Sequence, residues 1–284
     1  MAERRFEISS AEGLPIRGVA EIPSEPRGVV VIVHGFKGFK EWGFFPWVAA
    51  RFAAAGIASV RFDMSRSGIG ERPGEFDRLD LFGDDTYGRE LDDLASVLSW
   101  VAHLREVGDL PLFLMGHSRG GGVSILGAKK VASPLVRGIV TWSGVARADR
   151  WPDAVKREWR KRGVLEVQNA RTGQTMPIST AVLDDLEARG KDLDILAALD
   201  ETECPLLIVH GTADETVPPE EAEELARRAR NGSLVLIENG THTFGAKHPF
   251  DGVPKPLSFA MHATLGFVNA YCRAARMVAR VRQG

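Results

Sequence analysis

The chain has 284 residues, 44% of them hydrophobic, and a formal net charge of −2. That size and apolar content suit one large α/β domain, or one domain with an insertion, and the near-neutral charge balance gives no basic footprint for nucleic acid. The opening residues MAERRFEISS lack the apolar core of a secretory leader. No apolar run approaches the ~18 residues of a membrane span, so a cytoplasmic protein with no membrane partner is expected.

In chain order, residues 4–8 and 16–22 read as two antiparallel strands joined across Glu12-Gly13. Residues 29–33, VVVIV, are β-branched throughout and end at His34-Gly35. Such a continuous run suits a strand buried on both faces of a parallel sheet. Residues 47–55 are alanine-rich and helical in pattern, and 58–62 form the next strand, ending at Asp63. In residues 88–104, Leu91, Leu94, Val97, Leu98 and Val101 recur at spacings of three and four, an amphipathic stripe. Strands follow at 112–115, 138–142, 206–209 and 234–237. Residues 220–230 follow Pro218-Pro219 with acid in the first turn and arginines in the last, as the helix dipole prefers. Strands alternating with helices predict a doubly wound, mostly parallel sheet.

About sixty residues between Trp142 and Pro205 break this rhythm, far more than a crossover needs. Residues 148–161 are charged around Trp151 and Trp159. Residues 164–167 and 176–178 flank a turn-rich stretch, Asn169 to Gly173, that reads as a hairpin, and 181–188 and 193–199 have short helical patterns. The expected organisation is a core of residues 1–147 and 201–284 with a lid, 148–200, over the site. A peripheral decoration is the alternative. The Lys/Arg run from Lys156 to Arg162, broken by Glu158, is read as a solvated face. Cys204 and Cys272 form neither a disulfide framework nor a metal-ligand spacing and are expected to pack as small hydrophobes.

The 112–115 strand leads into Gly116-His117-Ser118-Arg119-Gly120, followed by the small residues Gly121 and Gly122. This is G-x-S-x-G between a strand and a helix, the spacing of a nucleophile elbow. The turn is so tight that its central serine sits in a strained backbone, tolerated only between small neighbours. The hydroxyl then lies at a helix N-terminus, which favours developing negative charge. A serine needs a base, and the base an orienting acid. Functional groups in this architecture collect at the C-terminal ends of strands. The 206–209 strand runs into HGTADETVP, with Asp214 just past its end. The 234–237 strand runs into ENGTHTF, with His242 in the matching place. Glu215 is the rival acid. The strand ending Trp142-Ser143-Gly144 offers no carboxylate. His248 precedes Pro249 and is read as a surface or lid contact, His103 and His262 as helix histidines, and His210 as packing behind the acid loop.

Four motifs in order, HGF at 34–36, GHSRG at 116–120, HGTADETVP at 210–218 and GTHTF at 240–244, make the chain resemble the α/β-hydrolase superfamily over nearly its whole length. Within it, the insertion and the segment Ser65 to Gly70 resemble the serine aminopeptidase-like and cinnamoyl (feruloyl) esterase-like hydrolases. The resemblance implies an α/β-hydrolase fold with an inserted lid, a Ser118-Asp214-His242 triad, and an oxyanion hole from the backbone N–H groups of Phe36 and Arg119. His34 is expected to brace the Phe36 loop. Such chemistry needs no metal and no organic cofactor. The expected activity is a carboxylesterase on small or aromatic acyl esters. Hydrolysis of short peptides or aminoacyl amides, and a non-catalytic binding protein on the same scaffold, stay open as alternatives. Phe36, Phe39, Trp42, Phe44, Phe45 and Trp47 are candidates for an acyl pocket, with packing against the sheet expected for most of them. The expected partner is a small-molecule ester, and a homodimer is left open.

Overall fold

A computed structural model describes residues 2–72, 74–131 and 136–283. Its centre is an eight-stranded sheet. The strands are β1 (Ala2–Ser9), β2 (Pro15–Ile22), β3 (Val29–Val33), β4 (Ala58–Phe62), β5 (Leu112–His117), β6 (Val136–Trp142), β9 (Leu206–Gly211) and β10 (Gly232–Ile237), in the order β1-β2-β4-β3-β5-β6-β9-β10. A two-stranded antiparallel ribbon, β7 (Val164–Gln168) and β8 (Thr175–Ser179), stands apart from it. From β4 to β10 every pairing is parallel, and only β1 and β2 join antiparallel.

Period-two alternation explains how the all-apolar strands are used. Val29, Val31 and Val33 of β3 point into one apolar cluster, while Val30 and Ile32 point into another on the opposite face. The first cluster is closed by α3 (Tyr87–Ala102), α4 (Arg119–Val131), α7 (Ile195–Glu201) and α8 (Pro219–Arg228). The second is closed by α1 (Phe45–Ala54) and the long α9 (Lys255–Gln283). The amphipathic stripe of α3 buries Leu91, Leu94, Val97, Leu98 and Val101, as its spacing requires. Thr86 caps this helix by accepting from the Arg89 N–H. The indole of Trp142 donates to Thr264 Oγ1 at 2.9 Å, joining the end of β6 to α9.

The long segment between β6 and β9 holds α5 (Asp153–Arg162), the ribbon β7–β8, α6 (Ala181–Arg189) and α7. It divides by packing. Leu193, Ile195, Ala198 and Leu199 lie in the sheet's own cluster, so α7 serves as the crossover helix that β6-to-β9 parallel pairing needs. The part before it builds a third apolar cluster. There Trp159, Met176, Ile178, Val182 and Leu183 meet Phe39 and Phe76 from core loops and Phe82 from the short α2 (Leu79–Gly83). The Trp159 indole donates to the Ile178 carbonyl at 2.8 Å, so a buried aromatic ring also satisfies its polar edge. Polar ties fix the segment to the core. Lys37 Nζ donates to the Gln168 carbonyl, Ser179 Oγ to Asp84 Oδ1, and the Gly88 N–H to Asp185 Oδ2. The charged face of α5 is turned outward, with Lys156 beside Asp149 and Asp153 and Arg160 beside Asp184 and Glu187.

Candidate active site

Ser118 lies between β5 and α4 with φ at +57°, in the left-handed region that side chains avoid. The glycines around it permit that geometry. A Cβ on Gly116 would sit 2.0 Å from the Gly120 carbonyl oxygen, and one on Gly120 would sit 2.4 Å from the carbonyl oxygens of Val33 and His34. The Ser118 N–H donates to the Trp142 carbonyl at 2.8 Å and its carbonyl accepts from Gly121 at 2.9 Å. The turn is thereby locked to β6 on one side and to α4 on the other.

The loop after β3 presses directly on this turn. A Cβ on Gly35 would meet the His117 carbonyl oxygen at 2.8 Å, Ser118 Cβ at 3.0 Å and the Arg119 backbone nitrogen at 3.4 Å. The backbone that leads into Phe36 therefore lies against that of Arg119. His34 holds the loop in place. Its Nε2 accepts from the Met64 N–H at 3.1 Å, so the proton is on Nδ1, which donates to the Gly35 carbonyl at 2.9 Å.

Asp214 and His242 come together from the loops after β9 and β10. His242 Nδ1 lies 2.9 Å from Asp214 Oδ2 and 3.1 Å from Oδ1. The N–H on Nδ1 donates to the carboxylate, which leaves Nε2 as the basic nitrogen. Asp214 Oδ1 also accepts from the N–H groups of Thr216 and Val217, each at 2.9 Å. Burial alone would raise the Asp214 carboxyl. Hydrogen bonds from His210, His242 and Val217, with the charge on His242, outweigh burial and hold it well below the usual carboxylate range. The buried His210 donates through Nε2 to the Val217 carbonyl at 2.8 Å, bracing the acid loop from behind.

Ser118 and His242 border one cavity of about 130 Å³, with Phe36, Lys37, Trp42 and His117 in its wall. Ser118 also borders a larger cavity of about 270 Å³. Phe36, Tyr87, Trp151 and Val217 line its apolar walls, and Asp85 and Arg119 contribute polar groups. The serine thus stands between two compartments, the geometry a reaction with an acyl part and a leaving part would use. Among the described residues, no group of three or more His, Cys, Asp or Glu side chains is arranged to hold a metal ion.

Other predicted positions find definite places. His248 Nδ1 accepts from the Gly43 N–H, and its ring packs against Phe39 and Trp42, so it braces the aromatic loop next to the smaller cavity. His103 and His262 each bond a carbonyl one turn earlier in their own helices. Of the aromatic run, Phe39, Phe44 and Phe45 are buried, and Phe36, Trp42 and Phe45 reach the smaller cavity. The sequence reading left out His117, Asp85, Tyr87 and Glu90. His117 is buried, and its Nε2–H donates to the His242 backbone carbonyl at 2.9 Å. Burial, with the charge of His242 nearby, pulls its pKa down to about 3, so this ring is neutral. Its place inside the G-x-S-x-G pentad was the available signal.

A mostly parallel sheet crossed by helices on both faces, with a strained serine at the end of a central strand and an Asp–His pair at the ends of later ones, defines a class, the α/β hydrolases. The chain belongs to the alpha/beta hydrolase family, whose model matches residues 30–254. Over 241 residues it is 26% identical to an uncharacterized 31.7 kDa protein of the traX-finO intergenic region of Escherichia coli, covering 74% of this chain and 80% of that one. A stretch of 115 residues is 30% identical to the phospholipase YtpA of Bacillus subtilis, covering 40% of this chain and 39% of YtpA. The structure of Est1E from Butyrivibrio proteoclasticus with bound ferulic acid matches at a TM-score of 0.70 and 23% identity, over 94% of this chain and 98% of that one. A monoacylglycerol lipase from Paleococcus ferrophilus matches at 0.63 and 18% identity, over 95% and 100%. At these identities the solved structures share the fold.

Proposed function

We propose that this hydrolase is a serine carboxylesterase that cleaves small or aromatic acyl esters through an acyl-enzyme on Ser118. The observation that carries the reading is the Asp214–His242 pair beside a cavity that Ser118 also borders. His242 Nε2 removes the Ser118 proton as Oγ attacks the ester carbonyl. The Phe36 and Arg119 N–H groups stabilise the oxyanion, a contribution on the order of 3 kcal/mol per donor. The alcohol leaves with the proton from His242, and water activated by the same ring releases the acid. Asp214 fixes the ring's tautomer and stabilises the imidazolium. Residues 148–194 act as a fixed roof: Ala148, Trp151, Ile178 and Val182 border the larger cavity, and their neighbours are tied to the core. The names of a relative, a phospholipase, and of two proteins of the same fold, an esterase domain from Rhodothermus marinus and a monoacylglycerol lipase, support ester over amide substrates. The site is expected to work in the cytoplasm; among the described residues no helix is long and apolar enough to cross a membrane.

A fluorophosphonate probe should label the wild type and leave Ser118→Ala unlabelled. Labelling of the variant would remove Ser118 from the mechanism. Turnover of p-nitrophenyl butyrate is expected in the same preparation, and turnover of aminoacyl amides alone would replace the esterase reading with an amidase one.

A further inference from the structure

The 270 Å³ cavity beside Ser118 carries more polarity than a plain alkyl or aryl group needs. Asp85 and Arg119 both line it. Asp85 is only 7% exposed. Arg119 Nε donates to Glu90 Oε2 at 2.8 Å, and its guanidinium carbon lies 4.1 Å from the centre of the Tyr87 ring. One arm of the guanidinium, Nη2, is buried with no hydrogen-bond partner. With Nε spent on Glu90, the terminal N–H groups of the guanidinium are the donors that Arg119 has left for a ligand in the cavity it lines.

The local charges decide what kind of oxygen fits. Asp85 and Glu90 both act on the single guanidinium of Arg119, and Asp93 adds its charge near Asp85. Glu90 balances that guanidinium. Burial, followed by the charge of Glu90, pushes the Asp85 carboxyl well above its usual range. Asp85 therefore keeps a proton, which it directs to Glu90, and one of its oxygens is left to accept. The other cation in the wall, Arg150, is paired with Glu221 at 2.6 Å. A carboxylate on the acyl group would add another acid to a set already in excess. An ammonium would enter a cavity bordered by two guanidiniums. A hydroxyl suits both groups, because it accepts from Arg119 and donates to Asp85.

We propose that Arg119 and Asp85 form a specificity subsite that selects acyl groups bearing an uncharged hydroxyl. The inference rests on the esterase reading, with the larger cavity as its acyl side. The cavity has room for about nine water-sized groups at roughly 30 Å³ each, so the hydroxyl belongs on a short acyl group. Sites built to hydrogen-bond a substrate hydroxyl discriminate strongly against the analogue that lacks it, because their own polar groups are then left unpaired.

The test uses methyl esters of straight-chain acids of five to eight carbons, each compared with its ω-hydroxy counterpart and with the ω-carboxylate half-ester. Release of acid is followed by titration at constant pH. At one chain length or more, the ω-hydroxy ester should exceed its parent at least tenfold in kcat/KM, and the half-ester should fall below the parent. Asp85→Leu should bring the hydroxy-to-parent ratio close to one, while Asp85→Asn, which keeps an acceptor oxygen, should retain most of it. The wild-type ratio stands as a test even if Asp85→Leu fails to fold. Turnover of p-nitrophenyl butyrate with flat ratios at every length would overturn the subsite and leave the esterase reading intact. So would half-esters that outrun the hydroxy esters, or a ratio that survives Asp85→Leu. No turnover of any ester and no fluorophosphonate labelling would overturn both.

Discussion

Asp214, His242 and His117 are each held by a hydrogen-bond partner, and this gives the site its direction. Asp214 is ionised because three donors, the N–H groups of Thr216 and Val217 and His242 Nδ1, converge on its carboxylate. His242 is set with its proton on Nδ1 because Asp214 accepts there. His117, one residue before the serine, is neutral and holds the His242 backbone from the other side. Asp214→Asn replaces the ionic acceptor with an amide that can present a donor to Nδ1. That favours the wrong tautomer, so kcat should fall on the order of 10³- to 10⁴-fold with little change in KM. Steady-state kinetics on p-nitrophenyl butyrate, with a circular-dichroism melt to show an intact fold, checks this. A variant with nearly full kcat would place the orienting acid elsewhere.

At the scale of elements, the turn between β5 and α4 is the least tolerant piece of the fold. Gly120→Ala would drive a methyl to 2.4 Å from the backbone carbonyl oxygens of Val33 and His34 at the end of β3, and neither belongs to a flexible side chain that can yield. The variant should lose activity and several kcal/mol of stability, as forced overpacking against backbone costs roughly 1–3 kcal/mol or more. A thermal melt within about 2 °C of wild type, where each kcal/mol shifts Tm by roughly 2–4 °C in a chain of this size, would contradict the close approach. This element was readable from the sequence because its constraint is local: two glycines at fixed offsets from a serine, between an apolar strand and a small-residue helix start. The strand ends carrying Asp214 and His242 were readable for the same reason. The hydroxyl-reading subsite was not. Asp85 and Tyr87 flank the start of α3 and Arg119 opens α4, and only the packing of these two helices on one face of the sheet brings them together. Nothing in the spacing of 85, 87, 90 and 119 marks them as neighbours. The role of α7 was hidden in a related way. Its apolar pattern is that of any short helix, and what makes it a crossover helix is the pairing of β6 with β9 far along the chain.

At the scale of the whole molecule, the buried carboxyl of Asp93 should leave a signature in stability against pH. Asp93 is 3% exposed and accepts from the Ser65 N–H at 2.7 Å. Burial raises its pKa to about 6 from 3.8, against the lowering effect of the Ser65 hydrogen bonds and with help from the charges of Glu90 and Asp92. Because the folded value lies above the unfolded one, the folded chain holds this proton more tightly. Stability from this group is therefore full below pH ~4 and falls as pH rises through 6. A tenfold difference in proton affinity corresponds to about 1.4 kcal/mol, so the loss is on the order of 3 kcal/mol. His117 acts in the opposite sense. Its folded value is about 3, below the 6.5 of a free imidazole, so it takes stability away as pH falls from 6.5 toward 3. The two slopes overlap between pH 4 and 6 and flatten the wild-type profile there. Asp93→Asn keeps an oxygen for the Ser65 N–H and removes only the Asp93 slope. The variant's Tm relative to wild type should therefore climb between pH 4 and 6 and stay level above. A difference that is constant across pH 4 to 8 would mean that Asp93 ionises in the folded chain as freely as in water.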